Sequence, residues 1–232
     1  MQNKKIKIPS ELVYFIAIIT LAFSVAMITI TNFGVSMIVA PAYILSQKLT
    51  FLSFGQSEYV IQALLFIVFC IIMKKLKLVY FSSFITGIIY GFVLDLWRKI
   101  PIFNQTVTTA ADLGIATRII FFIIGMLLTS FSVALFFKCY LYPQVYDFFV
   151  KGVSKKFNIP RHKFKTCFDL SCLVVATAMT LLLFHSFVGV SFGTLIMAIC
   201  NGTIIGFFSR FLDKHFDFVP IFKNFAKKFN IE

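Results

Sequence analysis

Four charged side chains stand inside or at the ends of long apolar runs: Asp95, Arg118, Asp169 and Arg210. A charge at bilayer depth is expensive and requires a partner. These four read either as two interfacial ion pairs or as gates or a proton site, Asp95 and Arg118 near the outer ends of their runs, Asp169 and Arg210 near the inner ends. Gln62 and Asn201 are amides within apolar runs, and Ser36 and Gln47 belong to an interrupted amphipathic stretch. Polar groups so placed either bond between helices or converge on a small polar solute. Gln56 and Glu58 lie in the same stretch, where a solvated interfacial face is the competing reading. Gly87 with Gly91, and Gly202 with Gly206, have Gly-x-x-x-Gly spacing, which lets helix backbones approach closely. That spacing suits packing of the third and sixth spans, a homodimer face or a thin-walled pore.

Other chemistry is not encoded. His162, His185 and His215 have no metal-ligand spacing, and there is no nucleophile–base constellation, phosphate loop or pair of carboxylates. Ser and Thr in the apolar runs satisfy helix carbonyls. Five cysteines, an odd count without a C-x-x-C pair, read as small packing residues. The expectation is a protein that is not an enzyme and needs no metal or cofactor.

The elements that must hold these residues are membrane spans. The chain of 232 residues is 59% hydrophobic with mean hydropathy +0.93, against about 45–50% apolar for a soluble domain. Several runs reach the ~20 apolar residues that cross a ~30 Å hydrocarbon core. This is an all-α, polytopic membrane protein of a bacterial cytoplasmic membrane. The net charge of +13 sits beside the apolar runs, where it meets lipid headgroups and not nucleic acid. The spans are Leu12–Thr31, Tyr59–Met73, Leu78–Trp97, Ile119–Tyr140, Cys167–Phe184 and Val188–Leu212. The first is too long for the ~7–15-residue apolar region of a signal peptide and is retained. Six spans place 18 of the 22 Lys and Arg on one side and 4 on the other, which puts both termini in the cytoplasm. The organisation is a cytoplasmic N-terminus (1–11), a first three-span half (12–97), an outer loop (98–118), a second three-span half (119–212) and a basic tail (213–232). In the tail, Phe222, Phe225 and Phe229 alternate with lysines, as in a helix lying on an anionic leaflet.

Asn32–Tyr59 is too apolar for a solvent loop and too interrupted by Pro41 to cross the bilayer, so it is a short interfacial or re-entrant helix. The halves echo one another. Phe23-Ser24-Val25-Ala26 recurs as Phe131-Ser132-Val133-Ala134, and Gly87-Ile88-Ile89-Tyr90-Gly91-Phe92 faces Gly202-Thr203-Ile204-Ile205-Gly206-Phe207. With three spans per half, the halves are an inverted repeat, a transporter-like arrangement.

The stretches FGVSMIVAPAYILSQKL, LSFG and ITGIIYGFVLDLW resemble the YczE/YyaS/YitT-type family of bacterial integral membrane proteins over most of residues 20–212. In that pattern a Gly-x-Ser turn opens a short amphipathic helix, a Leu-Ser-x-Gly turn starts the next span, and a Gly-rich helix ends in an acidic residue. Met37 and Pro41 depart from it, and the second half lacks most of the Gly-Ser signature. The resemblance implies an integral membrane location and little chemistry. The leading reading is a permease or transport subunit for a small solute. A non-transporting accessory or scaffold protein is one alternative. Another is the substrate-binding subunit of an energy-coupling-factor importer, docking through Ala22 and Ala26.

Overall fold

The computed structural model describes residues 5–74 and 80–227. Lys4, Lys75, Lys77, Lys228 and Phe229, which carry part of the charge count and of the tail pattern, lie outside the described residues.

Helix α1 (Ser10–Ile30) is an apolar run without Gly or Pro, with Glu11 in the first turn where the helix dipole favours a carboxylate. It ends at Asn32, which takes the left-handed conformation (φ 54°) that Asn tolerates better than most residues. The helix forms the centre of the molecule, packed along α4 (Phe81–Trp97) and α5 (Ile115–Phe136). Ser132 donates to the carbonyl of Ala17 at 2.7 Å, and the hydroxyls of Ser24 and Thr129 meet at 2.8 Å. Ala22 and Ala26 are fully buried in this core. They therefore offer no docking face, which corrects the expectation of docking through these two residues.

The remaining long helices are α3 (Phe54–Met73), α7 (Arg161–Phe184) and α8 (Phe192–His215). Five helices, α1, α3, α5, α7 and α8, are long and apolar enough to cross a membrane, and α4 is a shorter apolar helix. The chain is a helical membrane protein. Helix α3 begins five residues before the expected span, because Ser53 and Gln56 form a capping box that satisfies two orphan backbone donors. Helix α8 begins four residues later than expected and runs on to His215.

Two short buried helices lie between the long ones. Helix α2 (Ala40–Lys48) rises only roughly 14 Å, less than half the hydrocarbon core. Pro41 was expected to interrupt this stretch. It instead sits in the first turn, where its missing donor has no intrahelical partner to lose. The other is helix α6 (Val145–Lys156). Helix α2 packs on α3 and α7; α6 packs on α7 and α3.

The fold is not purely helical. Strands β1 (Ile6–Pro9) and β2 (Phe216–Val219) pair in parallel, with Ile6 opposite Phe216. Glu11 fastens the junction, accepting the backbone N–H groups of Ile221 (3.0 Å) and Phe222 (3.2 Å) and the hydroxyl of Tyr140 (2.8 Å). A four-residue helix, α9 (Lys223–Ala226), follows.

The 98–114 connection is no free loop. The Gln105 amide donates to the Thr29 carbonyl (3.0 Å) and the Tyr43 hydroxyl (2.9 Å) and accepts from Arg98 (2.8 Å). Burial pulls the Arg98 guanidinium below its ordinary pKa, with Tyr43 and Asp95 acting the other way. Gln105→Ala would strand these groups and is expected to cost about 2–3 kcal/mol, since each orphaned buried group costs ~1–3 kcal/mol. Thermal melting in detergent measures it.

Candidate functional site

The first half is closed. Helices α3 and α4 pack along one another, and a Cβ on Gly55 would strike the Gly91 carbonyl while one on Gly91 would strike the Tyr59 ring. Asp95, at the end of α4, accepts from the Ser53 hydroxyl and from the Gly55 N–H at 2.9 Å. It thus caps α3, where a carboxylate also suits the helix dipole.

The second half is open. Among the described residues α7 and α8 form no packed seam like that of α3 and α4. A cavity of about 390 Å³ occupies the gap, with Ser36, Thr129, Thr166, Asn201 and Gly202 in its wall. A smaller cavity of about 70 Å³ lies against it, and the two share Ser36, Ile38, Thr129, Val133, Asp147 and Met197. Loop segment 33–39 reaches this position because Val35 N–H donates to the Gly189 carbonyl and Gly193 N–H to the Phe33 carbonyl, both at 2.9 Å. Gly34 has φ +94° at a point where a side chain would meet Thr194 and Ser191, so glycine is required there.

Three charges stand in the wall of the larger cavity. Lys165 Nζ is 2.9 Å from Asp169 and 3.5 Å from Asp147. Lys165 and Asp169 share a face of α7 through their i, i+4 spacing. Asp147 arrives from the first turn of α6. The group carries one positive and two negative formal charges, so it suits a solute bearing a cationic or hydrogen-bond-donating group.

Behind the smaller cavity lies a polar core. Tyr90, Gln144 and Tyr146 line the cavity. The Tyr146 hydroxyl donates to Glu58 at 2.9 Å, and Gln62 donates to the same carboxylate oxygen at 3.1 Å. Glu58 and Gln62 are fully buried.

Of the four residues expected to meet at a solute, only Ser36 and Asn201 share a cavity; Asn201 accepts from Ser130 at 3.3 Å. Gln62 bonds inside the α3–α6 contact, its carbonyl accepting from Val145 N–H at 3.4 Å. Gln47 faces Gln105 at 3.5 Å, outside both cavities. The expected ion pairs are also corrected. Asp95 caps α3. Arg118 donates to the Thr31 carbonyl at 2.8 Å and covers the Phe33 ring. Asp169 pairs with Lys165, and Arg210 forms no ion pair among the described residues. The glycine pairs divide. Gly87 and Gly91 pack against Gln62 and Tyr59 of α3, whereas a Cβ on Gly202 or Gly206 would meet open space, so α4 and α8 do not pack through them.

Sequence reasoning missed Asp147, Lys165, Tyr90, Gln144 and Tyr146 as site residues and left Glu58 open between ringing a site and a solvated interfacial face. Two signals were available: Glu58 and Gln62, and Lys165 and Asp169, each stand four apart on one helix face.

Residues 8–210 match a family of unknown function (DUF6198), and the chain belongs to that family. No curated protein and no solved structure matches the chain.

Proposed function

We propose that this member of the DUF6198 family is a permease or transport subunit for a small polar solute, not an enzyme, with its site in the cavity between α7 and α8. The observation that carries the reading is the combination of a cavity of about 390 Å³ inside a helical membrane protein with a charged triad in its wall. A scaffold would have no use for a cluster of half-buried charges beside open volume.

The packing pattern supports six spans in two inverted halves. Exchanging α1 with α5, α2 with α6, α3 with α7 and α4 with α8 maps the α1–α4 contact onto α5–α8, α2–α3 onto α6–α7 and α3–α6 onto α7–α2. Two pairs break this correspondence, α3–α4 against α7–α8 and the smaller α4–α6 against α8–α2, and the first of them flanks the cavity. Two equivalent halves in unequal states are what alternating access around an inverted repeat requires. The resemblance to YczE/YyaS/YitT-type proteins agrees in location and adds no chemistry.

Pairing of β1 with β2 supports an even number of crossings between the chain ends, and the charge asymmetry supports the cytoplasm for both. Reporter fusions after residue 232 and within residues 106–112 are expected to report opposite sides. The same side for both would end the six-span reading.

Asn201→Leu tests the site. The amide lies on α8 beside Gly202 and, among the described residues, bonds only Ser130, so its loss costs little stability and fills polar volume with a branched apolar group. Mass spectrometry of small molecules co-purified with wild type is expected to show at least one species depleted about tenfold or more in the variant. Equal recovery from both proteins would favour the scaffold reading.

A further inference from the structure

We propose that Glu58 is a proton-carrying site behind the cavity, loaded and unloaded through the Tyr146 hydroxyl, so that passage of the solute is coupled to protons. The coupling rests on the cavity being a transport site; the protonation of Glu58 does not.

Glu58 is fully buried on α3. Its Oε2 accepts from Tyr146 and Gln62, while its Oε1 has no partner among the described residues. Ser57 Oγ, Tyr90 Oη and Gln144 Nε2 are likewise buried without partners. Buried polar atoms are almost always satisfied, so four orphans among neighbouring residues of α3, α4 and the start of α6 mark a place prepared for something else. No cation pairs with Glu58 among the described residues. The groups around it are neutral or acidic. Helix α4 presents Tyr90, with Asp95 beyond it. Helix α6 presents Tyr146 and then Asp147, which is engaged with Lys165. Helix α2 packs on α3 through Tyr43, which meets Phe54 and bonds Gln105, and Cys172 of α7 interacts electrostatically with Tyr146. An ionised carboxylate with no counter-charge is the costliest state this site could hold, and a protonated one is the cheapest.

The occupant is a proton and not a metal ion or the solute itself. Tyr90, Gln144 and Tyr146 line the smaller cavity, but Glu58 lines neither cavity. Only a relay through hydrogen bonds reaches it. In loading, an acid in the cavity, hydronium or a protonated solute group, gives its proton to the Tyr146 oxygen while the Tyr146 hydroxyl proton passes to Glu58 Oε2. The acid loses one proton, the carboxylate gains one, and the phenol is regenerated. Unloading is the reverse.

Infrared difference spectroscopy of the full chain in lipid nanodiscs follows the C=O band of protonated carboxyls in H2O and after transfer to D2O. Wild type is expected to show a band that is absent from Glu58→Gln, whose amide oxygen still accepts from Tyr146 and preserves the fold. Tyr146→Phe is expected to keep the band and slow its isotope shift at least about tenfold, the scale of losing a positioned proton-transfer group. A band that survives in Glu58→Gln, or one that shifts as fast in Tyr146→Phe as in wild type, overturns the proposal. Asn201→Leu is expected to leave this band in place, so failure of the cavity reading and failure of the Glu58 reading are told apart.

Discussion

Gly91→Leu is expected to yield no monodisperse protein in detergent, while Gly202→Leu folds with a melting temperature close to wild type. Gly91 is the second glycine of the first Gly-x-x-x-Gly motif and Gly202 the first of the other, and their surroundings are opposite. At Gly91 a new side chain meets the Tyr59 ring and the Gly55 carbonyl, and Gly55 in turn lies against the Gly91 carbonyl. Neither backbone can move without opening the α3–α4 seam and displacing the Asp95 cap on α3. Overpacking costs about 1–3 kcal/mol where side chains can adjust, and against backbone the cost lies at or above the top of that range. Stability of only about 5–15 kcal/mol leaves little margin for it. At Gly202 a Cβ meets nothing within 4 Å, and replacing a helical Gly gains up to ~1 kcal/mol in propensity. Gly202 does line the cavity, so Gly202→Leu is expected to fold and to lose the co-purified solute. Fluorescence-detected size exclusion and thermal melting of both variants decide it. Equal behaviour of the two would mean that the open half closes on α8 in the resting protein.

The long apolar runs were legible because twenty apolar residues in a row have few alternatives to a span, and α1 and α5 lie within a few residues of expectation. The start of α3 was not, because Gln56 and Glu58 look like solvated residues. One of them caps the helix and the other is buried with Gln62, on a stripe otherwise made by Phe54, Phe66 and Phe69. Burial of a polar residue is a tertiary fact, and only the four-residue spacing hinted at it. The strands were written in plain alternation, Ile6-Lys7-Ile8 and Phe216-Asp217-Phe218, but each is four residues long and stabilised by a partner some two hundred positions away. Gln105 had no local signal at all in a Thr-rich connection. The glycine motifs were read correctly as features and wrongly as a contact. Spacing shows that a helix face is smooth, while the partner that covers it depends on how α3 and α7 lie.

The Lys165→Met variant is expected to be the most damaging change within the cavity wall. Lys165 had counted only as one of the basic residues flanking a span, yet its ammonium sits between Asp169 at 2.9 Å and Asp147 at 3.5 Å. The three side chains are 31%, 19% and 20% exposed respectively. Removing the cation leaves two carboxylates facing one another beside an apolar wall. A fully buried broken pair costs about 3–5 kcal/mol. Partial exposure here screens the repulsion and brings the expected loss to about 1–3 kcal/mol. The triple variant Asp147→Asn, Lys165→Met, Asp169→Asn removes every charge together and is expected to regain most of that stability, because neutral amides need no counter-ion. If the triad served packing alone, the triple variant would also keep the co-purified solute. If the triad recognises the solute, the triple variant melts near wild type and purifies empty, which is the expected result. A Lys165→Met protein that melts with wild type and retains the solute would remove the triad from both stability and recognition, and would shift the site inward to Tyr90, Gln144 and Tyr146.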